Sequence, residues 1–361
     1  MYIVHVIESF AAGALTALST LCKHVQEDTR HDVIYSLRAE SPVNFCNIFP
    51  DSTRFYHVPM RRSVHPWGDM CAYWAIILLL RQLQPDVVHC HSSKAGVLGR
   101  LAAAQLGIPS VYTPHGYAFL RTDIPSCLCA VYKGVEYLMA RIGQATIACG
   151  VQEFALAERL TPKNHAAYLV ENSVEVIALP PPARDTSESA LLQVAILGRL
   201  TAQRAPELFG TVADALRHEA QWTWIGAPAD DVASLPSHVR RTGWVDHTKA
   251  MTLLDALDVY VQTSLWEGLS YSVLEAMSRG KPVVATDIPA NRAIIQHGVN
   301  GFLARDAQEF TQYVKMLLSD AALRHGMGEA ARAYIGAHHS AAVVYPEYVN
   351  IYKAILATRA H

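Results

Sequence analysis

Residues 258–287 read DVYVQTSLWEGLSYSVLEAMSRGKPVVATD. The run DVYVQTS (258–264) predicts a strand that ends at Ser264, and PVVATD (282–287) predicts another. Between them a loop carries Glu267 and Gly268, and a helix starts near Ser270, a residue type suited to an N-cap. Amides around Leu269, Ser270, Tyr271 and Ser272 at that helix start favour an anion, most naturally a phosphate. Glu275 lies about one turn inside the helix, where a carboxylate accepts hydrogen bonds from a ribose diol. Glu267, at the strand end, is placed to grip a second polyol. Two carboxylates that flank an anion site suit a sugar–phosphate–ribose ligand.

The same rhythm runs outward in both directions. Upstream come YIVHVI (2–7), a helix from about 14 to 25, DVIYSL (32–37), RFYHVP (54–59), a helix around 69–84 and DVVHCH (86–91). A small-residue helix (95–107), PSVYTPH (109–115), a helix (128–142) and ATIACG (145–150) follow. Then QVAILG (193–198), a helix near 205–219, QWTWIG (221–226) and RTGWV (241–245) lead into the quoted stretch. Short β-rich runs separated by helices of ten or more residues indicate an α/β protein with parallel sheets and crossover helices. Pro180, Pro181 and Pro182 and the polar run after them break the rhythm over 177–190. The expected domains are therefore 1–176, a linker at 177–190, and 191–340, with a ligand cleft at the carboxyl ends of both sheets.

The 361 residues suit about two domains, and 51% hydrophobic with 17% charged residues excludes a disordered chain. Thirty basic against thirty-two acidic residues give a net charge of -2, which speaks against nucleic acid as a partner. Seven cysteines without framework spacing read as free thiols of a reducing cytosol. The longest apolar run, MCAYWAIILLL (70–80), is too short to span a bilayer. It reads as a buried helix, or as one that touches a membrane surface with Arg61, Arg62 and Trp67 before it.

Three further segments carry chemistry. Gly198 and Arg199 follow a strand, and Arg204 lies five residues on; the two cations are placed to neutralise a diphosphate without metal. Pro114 and Gly116 flank His115 at a strand end and force a turn that aims the imidazole into the cleft. His89 and His91 share one strand face, but no third ligand is signalled, so no metal is expected there. Lys94, just after them, is a candidate contact for an anionic acceptor.

The spacing from Glu267 to Glu275 resembles the E-x7-E signature of glycosyltransferase family 4, the retaining sugar transferases with the GT-B fold. The resemblance implies two Rossmann-like parallel-sheet domains facing across a cleft. It implies that Glu275 binds the nucleotide ribose, that Glu267 contacts the donor sugar, and that Gly268, Leu269, Ser270 and Tyr271 hold the distal phosphate. The family loop usually reads E-G-F-G, and Ser270 replaces its last glycine here. Gly198-Arg199 with Arg204 resembles the family's G-R-x4-K, with arginine at the lysine position. His115-Gly116 resembles the family's H-G beside the reacting sugar, and His91 to Gly96 its bacterial H-S-S-K-A-G. In the first loop, from Glu8, only Gly13 remains of a usually glycine-rich stretch close to the donor phosphate.

The resemblance implies a final helix, over about 341–357, that packs back on the first domain. Val343, Val344, Tyr348, Ile351, Tyr352 and Ile355 stand at roughly helical spacing for it. The expected activity is transfer of a hexose from a nucleotide sugar, UDP most naturally, to a lipid-linked or polysaccharide acceptor of the bacterial envelope. No cofactor is expected beyond the donor, and the expected location is cytoplasmic, with peripheral contact to the inner membrane face. A GT-B nucleotide-sugar epimerase is the alternative. A dinucleotide oxidoreductase is excluded by FAAGAL (10–15), which lacks G-x-G-x-x-G.

Overall fold

The computed structural model describes residues 1–358 apart from 9, 11, 26–28, 39–40, 43, 62, 121–123, 164, 177–190 and 229–234, and only the backbone of Ala12. The linker expected at 177–190 lies outside the described residues, as do Ala11 and Arg62. The chain divides into one unit of Met1–Asn172 with Val344–His361 and a second of Ser173–Val343.

The first unit runs β1 (Tyr2–Ile7), α1 (Ala12–His24), β2 (Arg30–Tyr35), β3 (Arg54–His57), α2 (Pro66–Leu83) and β4 (Val87–His91). It continues with α3 (Ser93–Gln105), β5 (Ser110–Thr113), α4 (Ser126–Met139), β6 (Ala145–Ala148), α5 (Val151–Leu160) and β7 (Ala166–Leu169). Its seven strands pair in parallel in the order β3-β2-β1-β4-β5-β6-β7. The last helix, α12 (Ala341–Ala357), joins this unit from Val344 onward. Tyr345 donates from its hydroxyl to the Ala17 carbonyl of α1, and the Tyr352 hydroxyl meets His89 Nδ1 at 2.7 Å. Two polar anchors thus supplement the apolar face of α12.

The second unit runs β8 (Leu192–Leu197), α6 (Pro206–Ala215), β9 (Ala220–Ile225), β10 (Arg240–Arg241), α7 (His247–Asp255) and β11 (Val259–Gln262). Then come α8 (Tyr271–Ser278), β12 (Val283–Thr286), α9 (Pro289–Arg292), β13 (Phe302–Ala304), α10 (Ala307–Ser319) and α11 (Ala321–His338). Six parallel strands lie in the order β10-β9-β8-β11-β12-β13. The pleat sorts side chains between two cores. Val194, Ile196, Trp222, Trp224, Val259 and Val261 pack with α6 and α10 on one face. Ala195, Ile225, Tyr260 and Ala285 pack with α7, α8 and α11 on the other.

The boundaries differ from the sequence reading where local chemistry intervenes. The strand expected at 241–245 shrinks to Arg240–Arg241, because Gly243 takes a left-handed turn at φ +70°. Strands β7 and β13 are additions, short and placed at sheet edges. The helix expected from 69 starts at Pro66, with His65 accepting from the Gly68 amide as its cap. In both sheets the chain order reverses beside the first strand, between β1 and β4 and between β8 and β11. At such a switch point the two neighbouring loops leave the carboxyl ends in opposite directions and leave a crevice open for a ligand.

Candidate active site

In the second unit, β8 pairs with β11, so the loops from their carboxyl ends lie side by side. Gly198 takes φ +149°, and a Cβ there would sit 2.9 Å from Arg204 Nε and 3.0 Å from Cζ. Only glycine leaves the guanidinium that room. Ala205, at φ +46°, turns the chain into α6 and completes the hook that carries Arg204.

Arg204 Nη1 lies 3.1 Å from Glu267 Oε1 and 3.3 Å from Ser264 Oγ. Gln262, at the end of β11, donates from Nε2 to Glu267 Oε1 at 3.2 Å and to Ser270 Oγ at 3.1 Å. Gln203 Nε2 approaches Glu267 Oε2 at 3.4 Å and donates to the Trp266 carbonyl at 2.8 Å. The sequence reading treated Arg204 and Glu267 as separate groups, and here they form one ion pair fixed by two glutamines. Arg199, in contrast, is exposed and makes no side-chain ion pair among the described residues.

Gly268 is exposed and Leu269 is buried ahead of α8. Ser270 holds the N-cap position of α8, but its side chain makes no cap bond. Its Oγ turns instead to Gln262 and, at 3.0 Å, to Ser272 Oγ. The expected capping role is thus corrected: Gln262 competes for the hydroxyl and draws it under the loop. Tyr271 opens the helix, and Glu275 follows on a buried face. Glu275 Oε1 meets His247 Nε2 at 2.9 Å, a partner on α7 that the sequence reading missed.

His247 is raised above its ordinary value, chiefly by the hydrogen bond to Glu275. A raised value adds stability that is complete below the unfolded pKa of about 6.5 and lost as pH climbs through the folded value. The wild type is therefore expected to exceed His247→Gln in melting temperature by more near about pH 6 than near about pH 9. The effect is small, because half of the imidazole faces water. Equal gaps at both pH values would show that the pair contributes nothing through charge.

In the first unit, His115 takes a left-handed φ of +51° before Gly116 at +95°. The turn forms as expected, and Glu153 of α5 pins it by accepting from the Gly116 amide at 2.7 Å and the Cys149 amide at 2.6 Å. The imidazole, however, already has two partners. Nε2 lies 3.1 Å from His91 Nδ1, and Nδ1 lies 3.6 Å from Cys149 Sγ. His91 Nε2 is 3.0 Å from His5 Nδ1, and His5 Nε2 is 2.9 Å from His31 Nδ1. His31 Nε2 ends the row on the Val25 carbonyl.

Burial lowers all four imidazoles, well below the ordinary value for His5 and His91 and down to about 4 for His115, so the rings are neutral. A carbonyl only accepts, so His31 carries its proton on Nε2. Each ring in turn then donates from Nε2 and accepts at Nδ1, and the Cys149 thiol donates to His115. To bond a sugar hydroxyl, His115 would first have to leave one of these partners. His89 stands beside the row, held by Tyr352 and by Thr113 Oγ1 at 2.8 Å. The third nitrogen that His89 and His91 lacked in the sequence reading is His5, directly opposite His89 in the β1–β4 ladder.

Two other expectations change. Lys94 Nζ is tied to Asp69 Oδ1 at 2.7 Å and to the Ser63 carbonyl at 2.6 Å, so its charge is already matched. Gly13 lies inside the first turn of α1 rather than in a loop, because the helix starts at Ala12.

Residues 12–172 match the family model described as glycosyl transferase 4-like domain, and residues 192–320 the one described as glycosyl transferases group 1. A UDP-Gal:alpha-D-GlcNAc-diphosphoundecaprenol alpha-1,3-galactosyltransferase of Escherichia coli is 29% identical over 278 residues, 70% of this chain and 71% of that one. An alpha-maltose-1-phosphate synthase of Mycobacterium tuberculosis is 27% identical over 308 residues, 75% of this chain and 79% of that one. Among solved structures, a sucrose-phosphate synthase from Thermosynechococcus elongatus matches with a TM-score of 0.83 at 16% identity, covering 99% of this chain and 100% of that one. HepE of Anabaena in complex with UDP-glucose matches at 0.78 and 16%, covering 98% and 100%. Two parallel-sheet units with charged loops at their switch points, together with these matches, define a sugar-transferring enzyme. The chain belongs to family 4 of the glycosyltransferases and has the GT-B fold.

Proposed function

We propose that this enzyme moves a hexose from a UDP-sugar to a lipid-linked or glycan acceptor, with retention at the sugar carbon and no metal at the diphosphate. The observation that carries the reading is the Arg204–Glu267 pair beside the exposed Arg199. A diphosphate arriving there offers Arg204 a stronger anion than Glu267 does. Glu267 is then released to accept from a sugar hydroxyl, while Arg199 adds the second cation and the α8 N-terminus receives the distal phosphate. Glu275 takes the ribose. The names of the E. coli relative, with UDP-Gal and a diphosphoundecaprenol, and of HepE, with UDP-glucose, support this donor and acceptor class.

Melting curves with UDP-, GDP- and dTDP-sugars test the donor, and only the UDP-sugars are expected to stabilise the protein. With two arginines at the diphosphate, transfer in EDTA is expected to stay within about twofold of its rate without chelator. Full loss that manganese restores would overturn the metal-free reading.

The acceptor's lipid implies contact with a membrane surface. Among the described residues no helix is long and apolar enough to cross a membrane. Helix α2, however, buries Ala72, Ile76, Ile77 and Leu80 and leaves Trp67, Met70, Trp74 and Leu78 exposed as one stripe. Each large apolar side chain sunk into lipid contributes about 1.5 kcal/mol, so Trp67→Ala with Trp74→Ala should weaken binding to anionic vesicles by ~100-fold. Equal co-sedimentation of wild type and double variant would place the lipid contact elsewhere.

A further inference from the structure

The histidine row continues toward the amino ends of β1 and β2, away from His115. His31 pairs with Ile3 across the β1–β2 ladder, so His5 is its diagonal neighbour on the same sheet face. Cys22, on the last turns of α1, comes down on both. One ligand atom from each of His5, Cys22 and His31 lies within 4.8 Å of the other two, and all three side chains are buried.

We propose that His5, His31 and Cys22 form a binding site for a divalent transition ion of the zinc class, with a fourth position open to water. Two imidazoles and a thiol are a ligand set that borderline-soft ions prefer over magnesium or calcium. His5 Nε2 and His31 Nδ1, 2.9 Å apart, need to open only to the ~3.3 Å that a tetrahedral ion imposes. Each imidazole has its outer nitrogen already held, His31 Nε2 by the Val25 carbonyl and His5 Nδ1 by His91 at 3.0 Å. Such outer partners fix ring orientation in metal sites. Burial keeps both rings neutral, which is the ligating form, and a dication reverses the burial that holds Cys22 as a thiol. A cavity of about 490 Å³, bordered by Cys22, His31, Thr29 and Thr53, provides the way in and room for the fourth ligand.

Binding releases the thiol proton and leaves the lone pair of His5 Nε2 on the ion. The His5 proton then resides on Nδ1 and donates to His91, so His91 and His115 each shift their proton from Nε2 to Nδ1, and the Cys149 sulfur accepts from His115 instead of donating to it. The ion ties β1, β2 and α1 together beneath the sheet. Its ligands belong to the first unit and the arginines proposed to hold the diphosphate to the second, so the two readings stand or fall separately.

The full chain, freed of metal by a chelator and then dialysed, is titrated with Co²⁺ and followed by visible spectroscopy. The expected result is about one equivalent bound with a thiolate-to-cobalt charge-transfer band and the intense bands of a tetrahedral ion. That band is expected to vanish in Cys22→Ala and persist in His89→Gln, which spares the set but removes its neighbour. Zinc is expected to raise the melting temperature of the wild type and not of Cys22→Ala, with UDP affinity unchanged in either. A band that survives Cys22→Ala arises from an exposed cysteine and overturns the proposal. Binding without a thiolate band, or loss of binding in His89→Gln, overturns it as well.

Discussion

Arg204→Ala is expected to lower kcat/KM for transfer by roughly 100- to 1000-fold, about 2.7–4 kcal/mol, the cost of losing one preorganised group that stabilises developing charge. The expectation rests on how firmly this guanidinium is placed. Gly198 gives it room, Ala205 turns the backbone beneath it, and Ser264 and Glu267 hold its Nη1. The exchange of Glu267 for the diphosphate takes place as the donor binds, so nothing further has to reorganise when charge develops on the leaving group. Removing the side chain also leaves the Glu267 carboxylate facing the same phosphate with only glutamines to balance it. Arg204→Lys is expected to fall between wild type and alanine, because an ammonium keeps the charge but not the planar fork. Steady-state transfer measured beside melting curves checks the result, and wild-type kcat/KM in the alanine variant would remove Arg204 from catalysis.

The second large effect concerns affinity. Glu275→Ala is expected to raise the Kd of UDP by roughly 100-fold, or about 2.7 kcal/mol, since a charged acceptor is worth about 1.5–3 kcal/mol for each hydroxyl it binds. Glu275 is buried on α8 and oriented by His247, so its carboxylate loses little entropy on meeting a ribose. Glu267→Ala should leave UDP affinity within about threefold and lower kcat instead, because Glu267 is engaged by Arg204 until the donor arrives. Calorimetry with UDP on both variants separates the roles. An equal loss of affinity in the two would remove the division between ribose and sugar.

What the sequence made legible follows from range. YIVHVI and QVAILG are apolar runs rich in β-branched residues, broken only by His5 and Gln193, and β1 and β8 occupy them almost residue for residue. Edge strands such as AAYL and FLA carry no such run and owe their extension to the neighbour they pair with. The same limit divides the site. Glu267, Gly268, Ser270 and Glu275 stand within nine consecutive residues, so their relation is local and readable. Arg204 meets Glu267 across 63 residues, and no pattern in either segment announces it. His247 on Glu275 and Gln262 under Ser270 likewise depend on which elements neighbour in the sheet. The four histidines of the row, His5, His31, His91 and His115, stand in four separate segments of the sequence. They become a row only through the strand order β2-β1-β4-β5.

That α12 belongs with the first unit has a consequence for how the protein is made. The second unit is continuous in the chain from Ser173 to Val343, whereas the first is interrupted by it. During synthesis the seven-stranded sheet emerges first, yet His89 waits for Tyr352, and Ala17 for Tyr345, until the last helix leaves the ribosome. The later-made unit can thus finish folding before the earlier one closes. A released chain truncated after residue 343 would carry a completed second unit and an unsealed first, with the apolar groove beside α1 and β4 open to chaperones or to misassembly.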